Sequence, residues 1–179
     1  MSTFFEPAVG GGVLADLRAV HWWLRLYVRD LLELLGPAPV VPDDPLVALA
    51  ASAATAPERP ADPALARLIP DGVIDDDQAA MEFRRFTHET LLTRKRADAE
   101  ALLRRLDEAS GSFDRGAAQR LLASLNDVRL MLGTRLMVAE DEQFQGDDLS
   151  DLAVHTSYLR LGWLQEELLA ALQPATGDA

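Results

Sequence analysis

Apolar side chains recur at helical spacing along most of the chain. Between Val13 and Leu35 they fall on one broad face, and Gly36-Pro37 supplies a stop, so this stretch predicts a first long helix. A run of three glycines at 10–12 precedes it. We therefore expect residues 1–12 to form a flexible N-terminus and ordered structure to begin at Val13.

Three further long helices are predicted downstream. The first is capped by Asp75, Asp76 and Asp77 and runs to about Ala109, the next covers roughly Arg115 to Val138, and the last about Leu149 to Leu172. No segment shows sustained strand alternation. The sequence predicts an all-α fold, a compact bundle of four long helices. In the Asp77 helix, the seam expected to pack against its neighbours comprises Ala79, Phe83, Phe86, Thr90, Ala97 and Ala101.

Residues 36–70 form a Pro/Ala-rich connection that contains eight of the ten prolines. Since proline removes a backbone donor, only short helices are expected there, at Pro45 to Ala53 and Pro63 to Leu68. The length of the chain suits one core, so we predict a single helical domain over residues 13–172 and a flexible tail at 173–179.

Charge and composition exclude several classes of function. A net charge of -12 repels nucleic acid and anionic membranes at long range, which makes direct nucleic-acid binding an unfavoured role. There is no cysteine, so disulfides, thiolate metal sites and thiol switches are excluded. No stretch is apolar for long enough to span a membrane, and no signal peptide is recognised at the start. We expect a cytoplasmic protein without a membrane association.

The segment from Leu121 to Val138 places polar groups inside an apolar helical pattern. Arg129 falls within the buried stripe, where an unpaired charge would be costly. We interpret Arg129 first as a member of an internal ion pair that fixes helix register, and alternatively as part of a site for an anion or a partner. Asn126, Asp127 and Arg135 are interpreted as structural polar residues, and Gly133 as a point of close helix approach.

Five basic residues share one arc of the Asp77 helix, opposite its predicted seam: Arg84, Arg85, His88, Lys95 and Arg96. They are either a solvated face or a docking strip for an acidic partner. Arg84, Arg85, Lys95 and Arg96 are candidate interaction residues on the second interpretation.

Two tryptophans lie off the main apolar faces. Trp22 lies beside Leu26 among arginines, and Trp163 belongs to a second apolar line on the last helix with Leu152, Leu159 and Ala170. A helix that is apolar on two sides is either central or part of an interface. We expect the last helix to be central, while Trp22 and Trp163 remain candidate contacts for a protein partner, with a homodimer as the simplest assembly.

Catalytic patterns are missing from the sequence. His21, His88 and His155 are far apart and have no metal-ligand spacing, the glycine run lacks a P-loop lysine, and no serine has a nucleophile-elbow context. We expect no enzyme activity, no cofactor and no metal site.

Four segments carry a family resemblance, namely RLIPDG (67–72), EFRRFT (82–87), LNDVRLMLGTRLMV (125–138) and WLQEELLAAL (163–172). In this order they resemble an actinobacterial domain-of-unknown-function family, whose genes often lie beside the gene for the ClpS adaptor and which is also described as oxidative-stress-responsive transcriptional regulators. The resemblance implies a regulatory protein that binds the transcription machinery or the Clp system.

The function expected is therefore that of a non-enzymatic cytosolic regulator acting by protein-protein interaction. Its alternatives are an accessory factor of Clp-type proteolysis and a direct DNA-binding regulator. The thiol-based redox sensing attributed to the family is excluded for this chain by its lack of cysteine.

Overall fold

The computed structural model describes residues 3–37, 57–136 and 149–173. In these ranges the chain is mainly α-helical, which confirms the predicted fold class, and it adds a small sheet that the sequence did not predict. The helices are α1 (His21–Leu35), α2 (Pro63–Leu68), α3 (Asp77–Glu108), α4 (Arg115–Arg135) and α5 (Leu149–Leu172), and the strands are β1 (Phe5–Pro7), β2 (Val13–Asp16) and β3 (Ser110–Phe113).

The sheet is antiparallel, in the order β1-β2-β3. A turn through Gly10 and Gly11, both at positive φ, joins the first two strands, and β3 joins α3 to α4. The expectation that regular structure begins at Val13 is wrong, because β1 precedes it and α1 starts at His21. The error has a physical source, since Val13 and Leu17 fit a helical repeat. They fit equally an extended segment, made of β2 and the residue after it, in which Val13, Ala15 and Leu17 are buried while Leu14 is exposed.

The ends of the later helices follow their polar caps. The Asp76 carboxylate accepts a hydrogen bond from the Ala79 amide at 3.0 Å at the start of α3, and Asp62 caps α2 in the same way. Helices α2 and α5 have the predicted bounds, and α4 ends at Arg135. The short helix predicted at Pro45–Ala53 lies outside the described residues.

Helix α4 lies at the centre of the packing, in contact with each of the other helices. Its buried stripe contains Ala118, Leu121, Leu125, Val128 and Leu132, as the periodicity predicts. Helix α1 packs mainly against α3, and α5 packs along the other side of α4.

The orientation predicted for α3 is wrong. Its buried positions are Ala80, Ala99, Leu102 and Leu106. Most of the predicted seam is instead exposed, namely Phe83, Phe86, Thr90 and Ala97, with Phe86 75% exposed. The face of α3 that packs on the protein is therefore the one that also holds most of its basic residues. The basic residues on this face therefore lie against the protein instead of facing solvent.

Candidate protein-binding groove

A buried ion pair joins α3 to α4. The ammonium of Lys95 lies 2.6 Å from the carboxylate of Asp127, and these side chains are 15% and 6% exposed. Burial raises the pKa of Asp127 above its ordinary value, and the hydrogen bond from Lys95 opposes that rise. The prediction that Asp127 is a structural residue now has a specific contact, although the sequence gave no sign that Lys95 is its partner.

Two more of the candidate cations on α3 are also engaged within the protein. The guanidinium of Arg84 pairs with Asp71, and that of Arg96 donates to the carbonyl oxygen of Gly36, at the end of α1. The prediction of an outward-facing basic strip is therefore wrong for Arg84, Lys95 and Arg96. Arg85 is exposed and lies over the ring of Phe86, 5.6 Å from its centroid.

Arg129 lies between α4 and α5 without a carboxylate partner among the described residues. Its guanidinium is 3.4 Å from the Gln165 amide oxygen and 4.8 Å from the centroid of the Tyr158 ring, so the described residues place an amide and an aromatic ring where an ion pair was predicted. The helices approach closely here, as Gly133 suggested, because a Cβ at Gly133 would lie 3.1 Å from the Tyr158 ring.

The other polar residues of α4 also join helices. Gln165 donates to the side-chain oxygen of Asn126 at 3.4 Å, and Arg135 pairs with Asp30 of α1 at 3.2 Å. These contacts agree with the structural interpretation of Asn126 and Arg135. The polar residues of α4 therefore make contacts between helices and do not form an open site.

The two candidate tryptophans flank an apolar groove between α1 and α5. Trp22 is 61% and Trp163 is 63% exposed. One part of the groove is a cavity of about 430 Å³ with Trp22 and Leu26 on one wall and Leu152 on the other, and the adjoining part is a cavity of about 390 Å³ bounded by Trp163 and Phe4. The expectation that the second apolar line of α5 is central is wrong, because Leu152, Leu159, Trp163 and Ala170 are exposed.

The floor of the groove is preorganised by aromatic packing. Trp23 lines both cavities, is almost fully buried, and meets the ring of Tyr27 edge-on at a centroid distance of 6.1 Å. The hydroxyls of Thr156 and Ser157 each donate to a carbonyl oxygen four residues earlier in α5, at 2.8 and 2.9 Å. These side chains therefore leave the walls largely apolar.

One charged residue of the groove was missed in the sequence. Arg160 lines both cavities, is exposed, and makes no ion pair with any described residue. The sequence spacing could have indicated Arg160, since it lies three residues before Trp163 and therefore on the same side of the helix. Of the sequence candidates, the groove brings together Trp22 and Trp163, while Arg85 lies elsewhere on α3.

Residues 3–37, 57–136 and 149–173 contain no group of three or more His, Asp or Glu side chains placed to hold a metal ion. In the same ranges, none of the helices combines the length and hydropathy that crossing a bilayer requires.

The fold and the groove define a mainly helical protein with a small N-terminal sheet and an apolar cleft between its first and last helices. Residues 1–172 match the family model described as "Domain of unknown function (DUF2017)", and the chain belongs to this family. The resemblance inferred from the four sequence segments is thus confirmed. No solved structure matches the chain.

A curated protein of Mycobacterium leprae is similar to this chain and bears the name "Putative oxidative stress regulator AosR". The two are 32% identical over an alignment of 131 residues, which covers 64% of this chain and 60% of that protein. The match thus spans less than two thirds of the relative's length.

Proposed function

We propose that this protein is a non-enzymatic cytosolic regulator that acts by binding another protein in the groove between α1 and α5. The observation that carries the proposal is the exposure of two tryptophans on the two walls of one apolar cleft. Tryptophan is enriched among the residues that dominate binding energy, and an apolar patch of this kind on a monomer marks an interaction site. The name of the Mycobacterium leprae relative supports the regulatory part.

The partner we favour belongs to the transcription machinery, as the family resemblance implies, and a component of Clp-type proteolysis is the alternative. Direct DNA binding has less support. Three of the basic residues that could have contacted phosphates are engaged in internal contacts, and the net charge is -12. Regulation through a protein contact requires neither a reaction centre nor a basic surface.

The test is an affinity pull-down from native cytosol with quantitative mass spectrometry, comparing the unchanged protein with a Trp22→Ala/Trp163→Ala variant. We expect one or more specific partners to be lost in the double variant. Phe86→Ala is the matched control, because Phe86 is an aromatic residue even more exposed than the two tryptophans, and it does not line the groove.

Circular dichroism and thermal unfolding establish that all the variants fold. Recovery of the same partners by the double variant and by the unchanged protein would overturn the proposal. Loss of the same partners in Phe86→Ala would overturn it too, because binding would then not be specific to the groove.

A further inference from the structure

The groove is continuous and has a cation near its middle. Its two cavities share Trp23 on the α1 side and Arg160 on the α5 side, so Arg160 lies where the cavities meet. The walls on either side of this point are apolar, with Trp22 and Leu26 at one end and Trp163 at the other. A ligand that fills both cavities must pass Arg160.

Among the described residues that line the groove, Arg160 is the charged side chain that makes no ion pair with another described residue. The other charged lining residue is Glu167, whose carboxylate accepts a hydrogen bond from the backbone amide of Phe4 at 2.8 Å. Among the described residues that line the two cavities, the charge without an internal partner is therefore positive, although the protein as a whole is acidic.

We propose that the occupant of the groove is an amphipathic helix with apolar anchors on one face and a carboxylate that pairs with Arg160. This inference rests on the proposed function and specifies the class of its partner. An arginine surrounded by apolar walls pairs well with a carboxylate, because both can form parallel hydrogen bonds in a partly desolvated site. An acidic side chain between apolar anchors satisfies both features of the groove.

The dimensions of the groove suit a helix. Leu152 and Trp163 lie eleven positions apart on α5, a span of about 16 Å at 1.5 Å per residue, or about three helical turns. Three turns present anchors at positions i, i+3 or i+4, and i+7, which is the usual way a helix occupies an apolar groove.

A second copy of this chain fits the groove less well. In a two-fold contact centred on the groove, the two copies of Arg160 would approach each other, and like charges that meet in an interface are unfavourable. An acidic partner is also repelled by the net charge of -12, but salt screens that field beyond about 8 Å, so contacts at Arg160 decide the affinity.

The test is selection of 16-residue peptides from a random displayed library against the folded full chain, followed by affinity measurements with the best synthetic peptides. We expect enriched peptides with apolar residues at helical spacing and an Asp or Glu between them. Arg160→Gln should weaken the best peptide about tenfold, and selection against Arg160→Glu should enrich Lys or Arg at the same position. Arg104→Glu, a change at an exposed arginine outside the groove, is the matched control and should leave both results unchanged.

The outcomes separate this inference from the proposed function. Peptides that depend on Trp22 and Trp163 but show no acidic preference, or no reversal with Arg160→Glu, would overturn the carboxylate partner and leave groove binding in place. Failure to enrich any peptide would overturn the helical occupant, while the pull-down decides independently whether a protein binds there. Tryptophan-dependent self-association, measured by analytical ultracentrifugation, would assign the groove to a second copy and overturn the inference.

Discussion

Helix α3 and the groove both carry arginine beside apolar residues, yet they use it in opposite ways. On α3, Arg84 and Arg96 are engaged by a carboxylate and by backbone carbonyls of the same protein, and these contacts hold α1 and the segment before α3 in place. In the groove, Arg160 makes no ion pair with a described residue, and the apolar walls beside it are uncovered. A basic residue therefore indicates a binding site only after its internal partners have been accounted for.

The largest loss of stability is expected when the buried ion pair between Lys95, near the middle of α3, and Asp127 is broken. Lys95→Met leaves the Asp127 carboxylate buried without its cation, and we expect the free energy of unfolding to fall by about 3 kcal/mol in urea denaturation. Arg104→Met, on the exposed side of the same helix, is the control. Replacing both partners, as Lys95→Met/Asp127→Leu, should restore most of the loss, and a double variant no more stable than Lys95→Met would contradict this account.

The stability that Lys95→Met loses should vary with pH in a direction that the pKa of Asp127 determines. Because burial raises the pKa of Asp127, the folded state retains a proton that the unfolded chain has already released, so this carboxyl costs stability as the pH rises through that interval. Without Lys95 the pKa rises further and the interval widens. The deficit of Lys95→Met should therefore be largest near neutral pH and shrink toward about pH 4, near the ordinary pKa of aspartate. A deficit that is constant over this range, measured by denaturation at each pH, would rule out an uncompensated carboxylate as its cause.

A smaller loss of stability is expected when the contact between Arg96 on α3 and the end of α1 is removed. Its guanidinium donates to the carbonyl oxygens of Leu32 and Gly36, where cations are favoured by the helix dipole. Arg96→Met should lower the free energy of unfolding by about 1 to 2 kcal/mol. Arg85→Met is the matched exposed control, and equal losses in the two variants would mean that the contact with α1 contributes nothing.

The smallest effect on stability is expected in the groove. Trp22→Ala and Arg160→Gln should each change the free energy of unfolding by no more than about 0.5 kcal/mol, since both side chains are exposed. The same changes should weaken partner binding, so stability and binding respond to different sets of residues. A loss of stability at Trp22 as large as that at Lys95 would show that this side chain supports the fold.

The sequence predicted those elements whose evidence is local. The bounds of α5 and the Asp76 cap of α3 follow from spacing and from the residues at the helix start. The strand β2 was missed because Val13 and Leu17 satisfy both a helical repeat and alternation. Its pairing with β3 joins Val13 to Phe113, a contact between distant parts of the chain that no local pattern specifies.

The candidate site also depends on tertiary contacts that local sequence patterns do not specify. The exposure of Trp22 could be inferred from its place on the helix wheel, but the position of Trp163 across the same groove depends on how α5 packs against α4. Likewise, Lys95 looked like a surface charge because Asp127, its partner, lies 32 residues away on another helix. The role of each charge depended on a tertiary contact that helical periodicity does not encode.

Phe4, the residue just before β1, is connected to the last helix by the hydrogen bond from its amide to Glu167, so its amide resonance can report on that helix. Since both residues line the cavity beside Trp163, a bound ligand alters the surroundings of that amide proton. In a ¹H–¹⁵N NMR titration, the Phe4 resonance should shift together with the indole resonance of Trp163, whereas the Ala79 amide, held by its cap on α3, should remain unchanged. Occupancy could then be followed with the native chain, without an attached probe.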